Sequence, residues 1–267
     1  MGVLTFIERT LYAAGDLVMT YFRKPMIKDL KDDGSIVTTA DRKSEALIAE
    51  RICAAFPCDG ILSEESGATS NDRFPMRHQW IVDPLDGSSN FAAGLEHFCI
   101  SIARAMFLPD GRLVVMAGGI YDPVRQKLYL AERGYGATLN GGAISIRPGR
   151  PFPEPFVGTS IYYGRTCREH DQDIAFYDDL TRYARVRRMG AAAYDLALVA
   201  EGVLDGYVED GLMSWDTAAG SLLVEAAGGV VVNIGTSDFS VEGRSVIAGS
   251  LETVEAIQQI ATRHYED

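Results

Sequence analysis

The sequence predicts an α/β protein of the α+β kind, built as two stacked halves that meet near residue 150. Three observations carry this prediction. Residues 3 to 22 place apolar side chains at helical spacing, and residues 98 to 147 break into short strand-like pieces with tight turns. Beyond Pro151, strands and helices alternate, the mark of an α/β layer.

The elements follow in order. Leu4, Ile7, Leu11, Ala14, Val18 and Phe22 fall at three- and four-residue steps, an amphipathic helix that Pro25 ends. Lys31-Asp32-Asp33-Gly34 is turn chemistry, and Ile36-Val37-Thr38 a short strand. A second helix begins near Asp41, turns Leu47, Ile48, Ile52 and Phe56 inward, and stops at Pro57. Short strands are expected at Gly60–Ser63 and Trp80–Val82. The pieces Phe98–Met106, Leu113–Ile120, Lys127–Ala131, Ala137–Leu139 and Ile144–Arg147 form an antiparallel meander. Its breaks are Pro109-Asp110-Gly111, Asp122-Pro123 and Asn140-Gly141-Gly142.

In the second half a strand at Phe156–Ser160 precedes a helix around His170–Arg185. Helix Ala191–Gly202, strand Leu204–Glu209, helix Asp216–Ala227, strands Val230–Ile234 and Ser245–Ala248, and helix Leu251–His264 complete the chain. Pro151, Pro153 and Pro155 mark the joint. Residues 1–150 thus read as an N-terminal α+β half with the antiparallel sheet, and 151–267 as a C-terminal α/β half.

The 267 residues suffice for a sizeable core, and 47% hydrophobic content argues against disorder. The net charge of −12 argues against nucleic acid or an anionic membrane as partner, since both need basic faces. An anionic small substrate would need local help, most simply a metal cation. No run approaches ~18 apolar residues, so no membrane span is expected. Glu8, Arg9 and Asp16 interrupt any signal-peptide core, so the reading is cytoplasmic. Cys53, Cys58, Cys99 and Cys167 form no CxxC pair and read as reduced and mostly core. The histidines His78, His97, His170 and His264 are too scattered for zinc.

Carboxylates gather beside glycine, proline or a strand end in four places: Asp41; Glu64-Glu65; Asp83-Pro84-Leu85-Asp86-Gly87-Ser88-Ser89-Asn90; and Trp215-Asp216. Helix capping alone would explain Asp41 and Asp216, and solvated loop charge would explain Glu64 and Glu65. The middle segment is harder to dismiss. Asp83 follows the apolar Trp80-Ile81-Val82 at the end of a buried strand, with Asp86 three residues on. Two carboxylates held there repel unless a cation lies between them, and carboxylate oxygens suit Mg²⁺ shared with a phosphate. Gly87-Ser88-Ser89 then offers consecutive backbone N–H groups to an anion at a helix start.

These residues resemble the inositol monophosphatase family, within the magnesium-dependent, lithium-inhibited sugar phosphatases. Asp83 to Phe91 and Trp215-Asp216-Thr217-Ala218-Ala219-Gly220 look like its two signatures. Val37 to Asp41, Ser63-Glu64-Glu65-Ser66 and Gly190 to Ala193 resemble its remaining segments, in family order and spacing. The resemblance implies a layered αβαβα sandwich, a homodimer, and a Mg²⁺-dependent phosphomonoesterase acting on inositol monophosphate or a similar small polyol phosphate. It further implies two or three Mg²⁺ per site, held by Glu64, Asp83, the Leu85 carbonyl, Asp86 and Asp216. Asp41 and Ser88 would orient and deprotonate the attacking water, with Glu65 in support. Asp86, Gly87, Ser88, Ala192, Glu209 and Asp216 would contact substrate. Ser88 stands where the family usually has Thr. Histidinol phosphate, fructose 1,6-bisphosphate and 3′-phosphoadenosine are alternative substrates on the same scaffold, and a non-catalytic metal- or partner-binding protein is the alternative outside enzymes.

Overall fold

The N-terminal periodicity forms helix α1 (Val3–Met19), whose buried face carries Phe6, Ile7, Leu11, Ala14 and Val18. This computed structural model describes residues 2–25, 28–30, 36–69, 77–147, 153–160 and 167–265. The turn expected at 31–34 and the proline joint at Pro151 lie outside the described residues. After α1 come β1 (Lys28–Leu30), β2 (Ile36–Thr38), α2 (Thr39–Ala55), β3 (Gly60–Ser63), β4 (Gly67–Thr69), β5 (His78–Asp86) and α3 (Ser88–Ala93). The meander is β6 (Cys99–Phe107), β7 (Leu113–Asp122), β8 (Lys127–Glu132), β9 (Gly136–Leu139) and β10 (Gly142–Ala143). The second half holds β11 (Phe156–Thr159), α4 (Cys167–Tyr183), β12 (Arg185–Arg187), α5 (Ala192–Ala200), β13 (Gly206–Asp210), α6 (Ser214–Ala226), β14 (Val230–Val232), β15 (Ser245–Gly249) and α7 (Leu251–Tyr265).

Two large sheets organise these elements, and β1 and β2 pair antiparallel apart from them. The larger has eight strands in the order β10-β9-β8-β7-β6-β5-β3-β4, antiparallel throughout except for the parallel β3–β5 pair. The smaller has five strands ordered β12-β11-β13-β15-β14, parallel across the first three and antiparallel across the rest.

The period of two assigns each strand's side chains to opposite layers. On β5, Trp80 and Val82 join the cluster under α1 and α2, whereas Ile81 joins a second cluster around α5 and α6. On β13 and β15, Tyr207, Val246 and Ala248 face that same α5–α6 layer. Val208 and Ile247 face the opposite way, toward α4 and α7. The layers therefore run helix pair, eight-stranded sheet, helix pair, five-stranded sheet, helix pair, which is the αβαβα sandwich expected. Close approach in the middle layer needs small residues: a Cβ on Gly118 of β7 would sit 3.2 Å from the Ala219 backbone of α6.

Several expectations are corrected. The strand read as Trp80–Val82 continues to Asp86, through Pro84, with a register irregularity between Asp83 and Asp86. Proline lacks an N–H, and an irregular pairing is where a strand tolerates it. The chain thus turns at Gly87 rather than after Asp83. Residues 144–147 form no strand, because the Ile146 N–H donates to the Ala227 carbonyl past α6 instead of to a neighbouring strand. The helix expected to reach Arg185 stops at Tyr183, and Arg185–Arg187 pair with β11 as an edge strand. Its charged Arg-Val-Arg pattern hid it. Cys53 and Cys58 are exposed rather than core, one on the outer face of α2 and one in the turn beyond it; Cys99 is buried. Among the described residues, no helix is long and apolar enough to cross a membrane.

Candidate active site

A cavity of about 560 Å³ opens where the two halves meet. Its lining includes Glu64, Asp83, Leu85, Asp86, Gly87, Ser88, Ala192, Glu209 and Asp216. Residues more than 120 positions apart in the chain, Asp83 and Asp216 among them, therefore share one wall-to-wall space. Asp41 and Glu65 are not part of that lining.

The first wall is built by parallel strands. Ser63 of β3 stands in register with Val82 of β5, so both chains deliver their next residues, Glu64 and Asp83, at the same sheet edge. The Glu64 N–H donates to the Val82 carbonyl at 3.3 Å. Asp83 Oδ1 accepts from the Leu85 N–H at 3.0 Å, which orients its carboxylate within the irregular stretch of β5.

Helix N-termini supply the rest: the first turns of α3, α5 and α6 line the cavity, and that of α2 stands behind α3. Asp41 is the third residue of α2, where its Oδ2 accepts from the Thr38 N–H at 2.8 Å and the Thr38 hydroxyl at 2.5 Å. Its other oxygen accepts from the Ser88 hydroxyl. Asp41 therefore reaches the cavity only through Ser88, the first residue of α3. The single Ser88 proton serves one acceptor at a time, and the Leu85 carbonyl lies 2.8 Å away as the second. Gly87, with φ of +85°, makes the turn into α3; a Cβ there would meet the His97 carbonyl at 2.9 Å. That conformation and that space both require glycine. Asp86 Oδ2 accepts from the Tyr194 N–H at 3.0 Å, so a carboxylate of the first half caps α5 of the second. Asp216 caps its own helix, accepting from the Met213 N–H at 2.7 Å. Capping and site membership thus coincide in the same side chains. Helix N-termini carry partial positive charge, which lowers the cost of crowding acids here.

It does not remove that cost. Burial pushes Asp83 well above the ordinary carboxylate range, and Glu64, Asp86 and Asp216 push it further. Burial raises Asp86 to about 6 against the opposing Tyr194 N–H bond. Asp216 is driven up by burial and by Glu64, Asp86 and Glu209. Glu209 rises to about 8, mainly through burial, although it accepts the Tyr207 hydroxyl.

Among the described residues, no three carboxylate, imidazole or thiol groups stand close enough together to form a ready metal cage. The donor chemistry nevertheless suits a hard divalent cation. Asp83, Asp86 and Asp216 each use one oxygen for a backbone N–H and leave the other outside those bonds. Cations that retain several waters, as Mg²⁺ does, do not require a closed protein cage.

Sequence reading missed three participants. Glu45 accepts from the Glu65 N–H at 2.9 Å and from the Ser63 and Ser66 hydroxyls. The signal was a charged residue on the inward stripe of α2, between Asp41 and Ile48. Arg188 lines the cavity and its charge acts on Glu209. His97 pairs with buried Asp195 at 2.8 Å and stacks on Tyr194, tying the halves beside Asp86.

The chain as a whole is similar to proteins of one family. A family model described as "Inositol monophosphatase family" matches residues 2–265. The chain is 37% identical over 221 residues to the inositol-1-monophosphatase of Mesorhizobium japonicum, covering 83% of this chain and 80% of that one. It is 35% identical over 262 residues to the Nus factor SuhB of Escherichia coli, covering 96% and 94%. Among solved structures, the extragenic suppressor protein suhB from Bartonella henselae superposes with a TM-score of 0.88 at 31% identity over 98% of both chains. The inositol monophosphatase from Anabaena gives a TM-score of 0.82 at 31% identity, over 98% of this chain and 95% of that one.

Proposed function

The chain belongs to the inositol monophosphatase family, and from that premise we propose that it is a Mg²⁺-dependent phosphatase of small polyol phosphates such as inositol monophosphate. Phosphoric monoester hydrolysis is the family's reaction. The observation that carries the finer reading is the convergence of Glu64, Asp83, Asp86, Glu209 and Asp216 on one cavity beside the Ser88–Asp41 pair.

In this reading Glu64, Asp83 and the Leu85 carbonyl would hold a first Mg²⁺, and Asp83, Asp86 and Asp216 would hold a second, with Glu64 available through water to a third. Bound Mg²⁺ supplies the positive charge that activates water and neutralises the departing oxygen. The chain's own groups do the remainder. Ser88 takes a proton from the attacking water as its own proton passes to Asp41, which is buried and already aligned by Thr38. Glu65, which lies outside the lining, would support that water through the hydration shell of the first Mg²⁺. Backbone N–H groups of Gly87 and Ser88 steady the phosphate, and Ala192 and Glu209 contact the polyol. With water as the nucleophile no phosphoenzyme is needed, so the attack we propose is direct and in line.

A phosphate-release assay with and without Mg²⁺ tests this, comparing inositol monophosphate, histidinol phosphate, fructose 1,6-bisphosphate and 3′-phosphoadenosine. The highest kcat/KM is expected for inositol monophosphate, and only with Mg²⁺. A clear preference for another member of the panel overturns the substrate; turnover without metal overturns the mechanism. The family also implies a homodimer and lithium inhibition, which light scattering and a LiCl titration read directly.

A further inference from the structure

Helix α2 presents three polar side chains on one face, at spacings that bring them together on a helix surface: Asp41, Ser44 and Glu45. All three are buried, and each reaches a different segment of the cavity wall. Asp41 accepts from Ser88 at the start of α3. Ser44 Oγ donates to the Pro84 carbonyl at 2.8 Å, inside the irregular part of β5. Glu45 takes the loop after β3: its Oε2 accepts from the Ser63 hydroxyl and the Glu65 N–H, and its Oε1 from the Ser66 hydroxyl. Further along the same face, Ile48 and Ile52 are fully buried against the eight-stranded sheet.

We infer that Glu45 is a positioning residue for Glu64: its carboxylate fixes the loop that carries Glu64 at a set distance from Asp83 and Ser88, using α2 as the strut. The inference rests on the reading that Glu64 holds Mg²⁺. Three donors converge on Glu45 from four consecutive loop residues, Ser63 to Ser66, and Glu64 lies between the first two of them. A carboxylate suits that task because it is acceptor-only, so both oxygens meet donors without a mismatch. Without it, the Ser63 and Ser66 hydroxyls and the Glu65 N–H lose their shared acceptor. The Glu64 N–H bond to the Val82 carbonyl then remains to hold the segment to β5, with nothing from α2 fixing the residues on either side of Glu64. Residues that orient a ligand from behind commonly tune metal affinity by about 10- to 100-fold.

A purely structural role would also make Glu45 matter, so the test needs a matched control. Asp59 supplies one. It is a half-buried carboxylate that accepts from the Trp80 Nε1–H at 3.0 Å and the Arg104 Nε–H at 2.8 Å. It sits at the opposite end of β3 and β5 from the cavity. Calorimetric titration of the metal-free protein with MgCl₂ is run on the unaltered chain, Glu45→Ala, Glu45→Gln and Asp59→Asn, with thermal unfolding recorded for each. Glu45→Ala should weaken Mg²⁺ binding by about 10-fold or more. Glu45→Gln, which keeps one accepting oxygen, should weaken it less, and Asp59→Asn should lower the melting temperature without changing Mg²⁺ affinity. If Glu45→Ala unfolds, Glu45→Gln and Ser66→Ala carry the same comparison. Unchanged Mg²⁺ affinity in the Glu45 variants overturns the inference, as does an equal loss in Asp59→Asn. Failure of the unaltered chain to take up Mg²⁺ overturns the metal reading itself, a separate and visible result.

Discussion

On one wall of the cavity, Glu64 and Asp83 leave parallel strands paired in register, and bonds from residues 45–86 orient them. On the facing wall, Asp216 is held at the start of α6 by the Met213 N–H, and Glu209 by Tyr207 two residues away on β13. Direct bonds join them: the Asp86 carboxylate accepts from the Tyr194 N–H of α5, the Asn90 side-chain amide donates to the Met189 carbonyl at 2.8 Å, and His97 pairs with Asp195. The first wall is thus set by strand pairing between near neighbours in sequence. The second is well made in itself, but its distance from the first depends on how α5 and α6 pack against the eight-stranded sheet. Two cation sites built on this plan should differ, one complete in the first wall and one requiring both.

The largest effect should come from Asp83, which belongs to both proposed sites. Asp83→Asn is expected to lower kcat/KM by more than about 100-fold. The same change relieves a buried, mutually repelled carboxylate, so the metal-free variant should melt higher than the unaltered chain. Activity within a few-fold of the unaltered chain would break the assignment. Asp216→Asn sharpens the comparison: calorimetry should still find Mg²⁺ at the first wall but one fewer ion per chain. Loss of all Mg²⁺ binding would show that the walls do not act separately.

A smaller effect concerns pH. Glu209 is raised from 4.5 to about 8 by burial, with Asp195 and Asp86 adding to the shift. Between those values the native chain keeps a proton that the unfolded chain has lost. Stability of the metal-free protein therefore falls as pH climbs through that window. Glu209→Gln removes the group, so its melting temperature should fall less steeply over the same range. An identical slope in variant and parent would show that Glu209 does not hold that proton.

Much of the site could be read from short segments because its chemistry is local. The spacing of Asp83, Asp86 and Ser88, and the position of Asp41 near a helix start, place oxygens and N–H groups within a few residues of one another. Glu45 could not be read this way. Its carboxylate meets Ser63 and Ser66 across 18 and 21 residues, and only the packing of α2 beside β3 brings them together. The inner position of a charged residue on α2 was a sign that it had partners, but not which ones. Arg185–Arg187 was missed as a strand for a related reason: its pairing with β11 is a tertiary event, and its own side chains carry no apolar alternation.

The sequence by itself determined the layered α/β architecture, the buried strand Trp80–Val82 that leads into Asp83, and the identity of the acidic groups, because hydrophobic period and turn chemistry act over a few residues; that this strand runs on through Pro84 to Asp86 was set by its pairing with β6. Tertiary structure alone decided that the N-termini of α3, α5 and α6 would line one cavity, that Asp86 would cap a helix of the other half, and that Glu45 would bond the segment around Glu64. Those outcomes depend on distances between segments far apart in the chain, which only the packing of the layers sets.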